Sequence, residues 1–290
     1  MDGTKLHAVV DDGGKRVAGK RPIVFVHGYP DGWFCYVPQL GHFIDLGHPV
    51  LALSMRGYGA SDKPEGIAKY HLFDCLAQDV RAAVNHMRAL GKPLLVAHDW
   101  GAATSWAYVG QGVGAGEWDV AGYVSLSNPP SELFRKNLTR RQMWASLYMV
   151  FFNMPALPEW LLGLGNAWLV GLILNDTRSK RREKRWLDLY RTDKLQPAAL
   201  RAQTNYYRAM LQLGARPRRE DVLKETRKLQ LPVLMIRGKQ DPALLADLFA
   251  GYEKVLANAK LIELPDCSHW VTVDKAAETN AAIVSFMSRL

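Results

Sequence analysis

The chain of 290 residues has few of the patterns that mark metal sites or disulfide frameworks. Its three cysteines, Cys35, Cys75 and Cys267, are widely spaced and form no CxxC pair, which argues against a structural zinc and favours a reducing compartment. None of its eight histidines forms an HExxH or HxH pair, so a metal-dependent hydrolase is not favoured. We therefore predict a cytoplasmic protein without a bound metal or cofactor.

Long apolar runs are also missing, although 48% of the residues are apolar. A membrane-spanning helix needs about 20 predominantly apolar residues, and the closest segment, Met143 to Leu174, is broken by polar residues and prolines. The beginning of the sequence has no basic and then apolar leader, so we expect no secretory signal. Apolar content near one half excludes a disordered chain and predicts one large core, with or without an inserted lobe.

Acidic residues are fewer than basic ones, 28 against 37, and the surplus of nine falls in one segment. Residues 176–230 hold sixteen Lys and Arg against seven Asp and Glu, with the densest basic run at 178–185. A basic patch can bind nucleic acid or anionic lipid, but a solvated helix face is its more ordinary meaning. We expect no nucleic-acid partner, and contact of the apolar and basic segments with a membrane surface stays an alternative.

Short apolar runs that end in turns predict buried strands at six places. These runs are 22–26, 49–54, 93–97, 121–126, 232–238 and 260–264. Apolar residues from His71 to Leu90 recur at helical spacing, and further helices are predicted from about Pro242 and over Ala276 to Leu290. Strands that alternate with helices predict an α/β fold with a mostly parallel, doubly wound sheet.

Residues 131–228 interrupt this alternation, because they are rich in Trp, Tyr, Met, Leu and Arg and contain no clear short strand. They predict an all-helical cap that is inserted into the sheet domain. The sequence has no internal repeat and no low-complexity linker, so the cap interrupts one domain and does not form a separate module. The predicted core comprises residues 1–130 and 229–290.

The segment 97–101, Ala-His-Asp-Trp-Gly, lies where a predicted strand turns into a helix. A polar residue between two small residues at this place is typical of a nucleophile elbow, because the sharp turn crowds the backbone. The central residue of the GxSxG form is Ser, and here it is Asp99, whose carboxylate can attack carbon and form an ester. Capping of the following helix is the alternative role for Asp99.

Two further polar residues follow later strands, and ligands of such sheets bind beyond the carboxyl ends of the strands. An aspartyl ester is hydrolysed by water and a base, and His269 suits the role of base because its ordinary pKa is about 6.5. Asp241 is the candidate acid that orients His269, since nucleophile, acid and histidine occur in this order in hydrolases with such an elbow. The rival histidine, His98, is expected to pack or to support the site.

Backbone donors for developing negative charge are available beside these residues. The N–H of Trp100 is one, and we expect the N–H of Tyr29 to be the second. Both would act on the carboxyl oxygen of the Asp99 ester. The loop that carries Tyr29 also places His27 and Pro30 in the predicted pocket.

On these motifs, the sequence resembles the α/β-hydrolase family and, within it, the epoxide hydrolases. The HGxP loop (27–30), the RGYGxSD stretch (56–62), the HDWG elbow (98–101), the GxxD acid and the SHW segment occur in family order over nearly the whole chain. The resemblance implies an α/β-hydrolase fold with a helical cap and an aspartate nucleophile. It also implies an enzyme that uses water to convert an apolar epoxide into a vicinal diol.

Two tyrosines of the predicted cap match motifs with which the family holds the epoxide oxygen. They are Tyr148 and Tyr207, the latter in an Asn-Tyr-Tyr-Arg segment of the NWYR type. The resemblance implies that both phenols donate hydrogen bonds as the epoxide opens, although core packing is the ordinary role of a single cap tyrosine. The chain departs from the family pattern at Ser54, where Asp is frequent, and at Tyr206, where the motif has Trp.

Two other functions stay open at this point. A haloalkane dehalogenase would share the fold and the Asp nucleophile, but it needs a second residue that donates a hydrogen bond to the halide. In such enzymes this donor is often an Asn in the loop that here carries Tyr29, or a Trp of the cap. Tyr29 argues against the first arrangement, and a Trp of the cap would satisfy the second. The candidates are Trp144, Trp160, Trp168 and Trp186. The second alternative is a ligand-binding protein that is built on the hydrolase fold and has no turnover.

Overall fold

The computed structural model describes residues 2–11, 19–111, 118–174, 184–196, 198–213 and 229–290, and only the backbone at 184–186. The strands are β1 Ala8–Asp11, β2 Ile23–Val26, β3 Val50–Leu53, β4 Leu94–His98, β5 Gly122–Leu126, β6 Val233–Gly238 and β7 Ala259–Leu264. They form one seven-stranded sheet in the order β1-β3-β2-β4-β5-β6-β7. β1 is antiparallel to β3, and all other neighbours are parallel. The predicted mostly parallel sheet is confirmed.

The five strands from β2 to β6 are buried along their whole length. Strands that are covered on both faces consist of continuous apolar residues, and this is why five of the predicted runs form strands. The sixth run forms β7, which is only partly buried. The edge strand β1 was not predicted. It has only four residues, ends in Asp11 and is partly exposed, so it lacks the apolar run that revealed the others.

Helices connect the strands and cover the sheet. They are α1 Val37–Asp45, α2 Ala77–Arg88, α3 Trp100–Gln111, α4 Ser131–Lys136, α5 Arg140–Ala145, α6 Leu147–Phe152, α7 Leu157–Leu174, α8 Lys184–Lys194, α9 Ala199–Arg208, α10 Val271–Asp274 and α11 Ala276–Met287. The predicted helix between His71 and Leu90 is confirmed as α2, which follows π-helical turns over Leu72–Leu76. The predicted last helix is confirmed as α11.

The helix predicted from about Pro242 is wrong. The chain there forms only short 3-10 turns, at Ala246–Phe249 and Tyr252–Lys254. One oxygen of Asp241 accepts hydrogen bonds from the backbone N–H groups of Ala243 and Leu244, at 2.8 and 3.0 Å. An aspartate side chain that accepts hydrogen bonds from the N–H groups two and three residues later stabilises a turn. Here this turn forms in place of the first turn of the predicted helix.

Helices α4 to α9 lie between β5 and β6 in the chain, and we call them the inserted helices. The described residues of this interval contain no strand. Among the described helices, α7 alone is long and apolar enough to cross a membrane, but its backbone is non-helical from Leu164 to Ala167. The division at residues 131 and 228 stays a prediction, and the side chains of the basic run 178–185 lie outside the described residues.

Buried hydrogen bonds fasten the inserted helices to the loop after β3. The hydroxyl of Tyr206 donates to the carbonyl oxygen of Arg56 at 2.8 Å, and the amide of Gln203 donates to that of Gly57 at 3.1 Å. Both donors belong to α9. The Arg-Gly-Tyr-Gly stretch therefore binds the inserted helices through its backbone carbonyl groups.

Arg56 also forms a buried ion pair whose loss should destabilise the fold. Its guanidinium makes two hydrogen bonds of 2.6 Å to the carboxylate of Asp79. Arg56→Ala should lower the free energy of unfolding by about 3–5 kcal/mol, because the carboxylate stays buried without its partner. Arg88, which binds Asp119 at 2.9 Å on the surface, is the control, and Arg88→Ala should cost less than about 1 kcal/mol. Urea unfolding measures both values, and equal losses would contradict this role.

Candidate active site

Asp99 lies on the sharp turn between the end of β4 and the start of α3. Its φ of 50° is in the left-handed region, where a residue with a side chain is strained by about 1–3 kcal/mol. Two glycines allow the close packing of this turn, because a side chain at either position would clash. A Cβ on Gly101 would lie 2.3 Å from the carbonyl oxygen of Val26, and one on Gly28 would lie 2.4 Å from Asp99 itself. The turn therefore holds the carboxylate at the carboxyl edge of the sheet.

Backbone donors bind the carboxylate of Asp99. The N–H of Tyr29 donates to Oδ1 at 2.7 Å, and the N–H of Trp100 also donates to the carboxylate. Both donors that the sequence predicted thus reach Asp99. Burial alone would raise the pKa of Asp99, but the hydrogen bond and charge of His269 outweigh it and hold that pKa below its usual value. Asp99 is therefore an ionised carboxylate at neutral pH.

His269 lies between two carboxylates. Its Nδ1 is 2.7 Å from Oδ2 of Asp241, and its Nε2 is 3.5 Å from Oδ2 of Asp99. Burial acts to lower the pKa of His269, but the charge and hydrogen bond of Asp241, followed by those of Asp99, raise it well above its usual value. With this raised pKa, His269 is a cation at neutral pH that is paired with Asp99.

The loop that carries His269 is fixed by two polar side chains. Nε2 of His98 lies 3.0 Å from the carbonyl oxygen of His269, and the hydroxyl of Ser127 donates to the same oxygen at 2.9 Å. Burial, and then the charge of His269, lowers the pKa of His98. A neutral ring with its proton on Nε2 can donate to the carbonyl, so His98 has the supporting position expected for it.

His27 lies behind its loop and lines neither cavity around Asp99. Its Nε2 accepts the N–H of Met55 at 3.1 Å, and its Nδ1 lies 3.0 Å from the carbonyl oxygen of Gly28. Burial lowers the pKa of His27 to about 4, which keeps the ring neutral. His27 thus braces the loop, whereas Tyr29 and Pro30 line the cavity wall.

Two cavities of about 330 and 320 Å³ share Asp99, Tyr148 and Tyr207 in their walls. We call them the first and the second arm. The first arm is also lined by Leu72, Trp100, Phe134, Met149, Met210 and Leu244. The second arm is also lined by Tyr29, Pro30, Phe152, Ile173, His269 and Trp270. These walls are mostly apolar, so the cavities suit an apolar ligand that meets one carboxylate and two phenols.

The two phenols belong to different inserted helices, Tyr148 to α6 and Tyr207 to α9. Their ring centroids are 5.8 Å apart in an edge-to-face arrangement. Enclosure by the surrounding protein raises the pKa of both phenols, and the negative charge of Asp99 adds to this effect. Both tyrosines therefore keep their protons at neutral pH and can donate hydrogen bonds into the cavities.

None of the described tryptophans on the inserted helices lines a cavity beside Asp99. Trp144, Trp160 and Trp168 are 75%, 62% and 50% exposed and line neither arm. The side chain of Trp186 lies outside the described residues. The arrangement in which a cap Trp binds a halide is therefore not formed by the described part of the chain, which also holds no group of three or more His, Cys, Asp or Glu for a metal.

Most of the cavity wall was missed by sequence reasoning. Leu72, Phe134 and Met149 are ordinary apolar residues of helical segments, and no motif distinguishes them from core residues. Asn128 had a usable signal, because it follows β5 at the same edge of the sheet as Asp99.

The charge of Asp241 should govern the protonation of His269. Asp241→Asn should lower the pKa of His269, because it removes the main interaction that raises this pKa. Titration of the His269 ring by NMR measures the change. Asp247→Asn, at an exposed position on the following turn, is the control and should leave the pKa where it is. An unchanged pKa in Asp241→Asn would show that another group charges the histidine.

Known proteins match the chain along its whole length. The sequence model of the alpha/beta hydrolase family matches residues 23–282. The AB hydrolase superfamily protein YfhM of Bacillus subtilis (strain 168) is 29% identical over 305 residues, which cover 99% of each chain. Epoxide hydrolase 3 of Mus musculus is 28% identical over 94% of this chain and 72% of its own length.

Solved structures agree with this assignment. The epoxide hydrolase of Bacillus megaterium in complex with an inhibitor has a TM-score of 0.82 at 23% identity, with 99% of this chain and 98% of that chain covered. A structure from work on novel epoxide hydrolases in metagenomes from hot environments has a TM-score of 0.77 at 25% identity, with 98% and 95% covered. The predicted fold and the predicted resemblance to epoxide hydrolases are both confirmed, and the chain belongs to the α/β-hydrolase family.

Proposed function

We propose that the protein hydrolyses apolar epoxides to vicinal diols through an ester on Asp99. The observation that carries the proposal is the position of this carboxylate. It lines two apolar arms together with two protonated phenols, and one of its oxygens lies 3.5 Å from the imidazole of His269. The epoxide hydrolases among the relatives favour the same reaction.

In the first step, Oδ2 of Asp99 attacks a ring carbon of the epoxide. Oδ1 accepts a hydrogen bond of 2.7 Å from the N–H of Tyr29, whereas Oδ2 has only the longer contact of 3.5 Å with Nε2 of His269, so we assign the attack to Oδ2. A carbon–oxygen bond to Asp99 forms as the ring carbon–oxygen bond breaks. The leaving oxygen keeps the electron pair and takes a proton from Tyr148 or Tyr207. The result is a hydroxyalkyl ester, and the tyrosine is later reprotonated through solvent.

In the second step, water hydrolyses the ester with His269 as general base. Formation of the ester removes the negative charge of Asp99, which helped to raise the pKa of His269, so the imidazole then releases its proton more easily. Neutral His269 accepts a proton from water, and the hydroxide attacks the ester carbon. The N–H groups of Tyr29 and Trp100 stabilise the charge on Oδ1, and the diol leaves with the proton from His269.

Removal of the base should trap the ester. His269→Ala with styrene oxide should gain the mass of one epoxide, because the first step needs only Asp99 and a phenol donor. Turnover to diol should fall by about 10²–10⁴-fold, since general base catalysis is lost. Mass spectrometry of the protein, with mapping of the modified peptide, measures the adduct.

The matched control is the double variant Asp99→Ala/His269→Ala, which should gain no mass. An adduct on the double variant, or none on His269→Ala while styrene oxide still binds, would contradict the two-step scheme. Wild-type enzyme should release diol from styrene oxide and no halide from a chloroalkane of similar size. Halide release without diol would instead identify a dehalogenase.

The two phenols should act in the first step alone. Tyr148→Phe/Tyr207→Phe should slow ester formation by about 10²–10⁴-fold, because no donor then meets the leaving oxygen. Hydrolysis of an ester that has already formed should change little. Rapid-quench mass spectrometry separates the two rates. Tyr206→Phe, whose hydroxyl binds the Arg56 carbonyl outside the cavities, is the control and should form ester at nearly the wild-type rate. Equal slowing in both variants would mean that the phenols serve only packing.

A further inference from the structure

Exposed apolar side chains are concentrated on the inserted helices and the turns that follow them. Of the nineteen large apolar residues that are exposed in the described part of the chain, only Val10, Leu46 and Val284 lie on the sheet domain. Seven residues of helices α5 to α7 are each at least half exposed, and we call them the apolar surface. They are Met143, Trp144, Leu147, Val150, Trp160, Trp168 and Leu172. Concentrated apolar exposure of this kind marks a surface that contacts a partner or a membrane.

The charges around the apolar surface are positive. Residues 139–174 contain only three charged side chains, and the single acidic one, Glu159, is bound by Arg208 at 2.5 Å. The other two, Arg140 and Arg141, are exposed on α5, one turn before Trp144. Arg135 and Lys136 at the end of α4 are also exposed, and Arg135 lines the first arm. We call these four cations the cationic rim. The described residues of α5 to α7 hold no exposed acidic side chain.

The first arm is lined by residues that are neighbours of the apolar surface in the sequence. Tyr148, which lies in sequence between Leu147 and Val150, lines the arm and is 37% exposed. Leu211 also lines the arm and is 51% exposed. From these neighbours we infer that the first arm opens beside the apolar surface.

We propose that the apolar surface docks on an anionic lipid bilayer, with the first arm opening towards the acyl chains. Tryptophan and arginine together are typical of the membrane interface, where the indole ring lies at the headgroups and the cation binds lipid phosphate. A second copy of the chain is a poorer occupant, because a twofold contact would bring two cationic rims together. The break in α7 and its packing against α8 and α9 favour a helix that lies on the bilayer over one that spans it.

Flotation of the full chain with vesicles tests the docking. Wild-type protein should float with phosphatidylcholine vesicles that contain about a quarter phosphatidylglycerol, and much less with phosphatidylcholine alone. Trp144→Ser/Trp160→Ser should bind the anionic vesicles at least about tenfold more weakly, because it removes the two most exposed side chains of the apolar surface. Arg140→Gln/Arg141→Gln should lose roughly tenfold or more, and most of the dependence on salt.

Leu46→Ser/Val284→Ser, at two exposed apolar positions of the sheet domain, is the control and should float like wild type. Hydrolysis of a water-soluble epoxide reports on folding and should be equal in all variants. Wild-type protein that stays in solution with anionic vesicles, or floats as well after loss of both tryptophans, would overturn the proposal. So would a dimer in sedimentation that the tryptophan variant abolishes, since a second copy would then cover the surface. The flotation and sedimentation results do not depend on the proposed ester, so docking and the proposed reaction can fail separately.

Discussion

The contact between Asp99 and His269 is the interaction on which the site depends. A carboxylate enclosed in an apolar cavity stays ionised only if donors and opposite charge replace its water. Two backbone N–H groups and the imidazolium do this, and Asp241 in turn keeps the imidazole charged. Asp99, Asp241 and His269 follow β4, β6 and β7, so the site requires the carboxyl ends of these three strands to lie close together. The parallel sheet meets this requirement, because the carboxyl ends of its strands lie at the same edge.

In the proposed reaction, the same charges explain why His269 becomes a base only after the ester has formed. Two carboxylates and one imidazolium leave a net negative charge, which suits attack by Asp99 but holds the imidazole protonated. An ester on Asp99 is neutral, so only the pull of Asp241 remains and the histidine becomes a better base. In the proposed reaction, the change of charge on Asp99 would by itself lower the pKa of His269 between the two steps.

The sequence predicted those parts of the structure that short motifs encode. The elbow requires small residues at fixed offsets, and the crowding at Gly101 and Gly28 shows the cause of that pattern. By contrast, β1 and the turn after β6 depend on contacts that no local pattern displays. The turn after β6 was mistaken for a helix because the backbone bonds of Asp241 compete with helix formation. Cavity residues such as Leu72 were missed for a related reason, since tertiary packing alone separates a cavity wall from a core.

Neighbouring residues of the inserted helices have different surroundings, because some line the cavity and others are exposed on the surface. On α6, Tyr148 must face the cavity to meet an epoxide oxygen, whereas Leu147 and Val150 are exposed at half or more of their surface. Exposed apolar area is unfavourable in water, at about 25 cal/mol for each Å², so a helix of this kind gains free energy when lipid covers it. An apolar epoxide partitions into the same lipid for the same reason. A cavity that opens towards the bilayer would receive its substrate where that substrate is concentrated, and the water needed for ester hydrolysis would have to reach His269 by the second arm, whose wall includes that histidine.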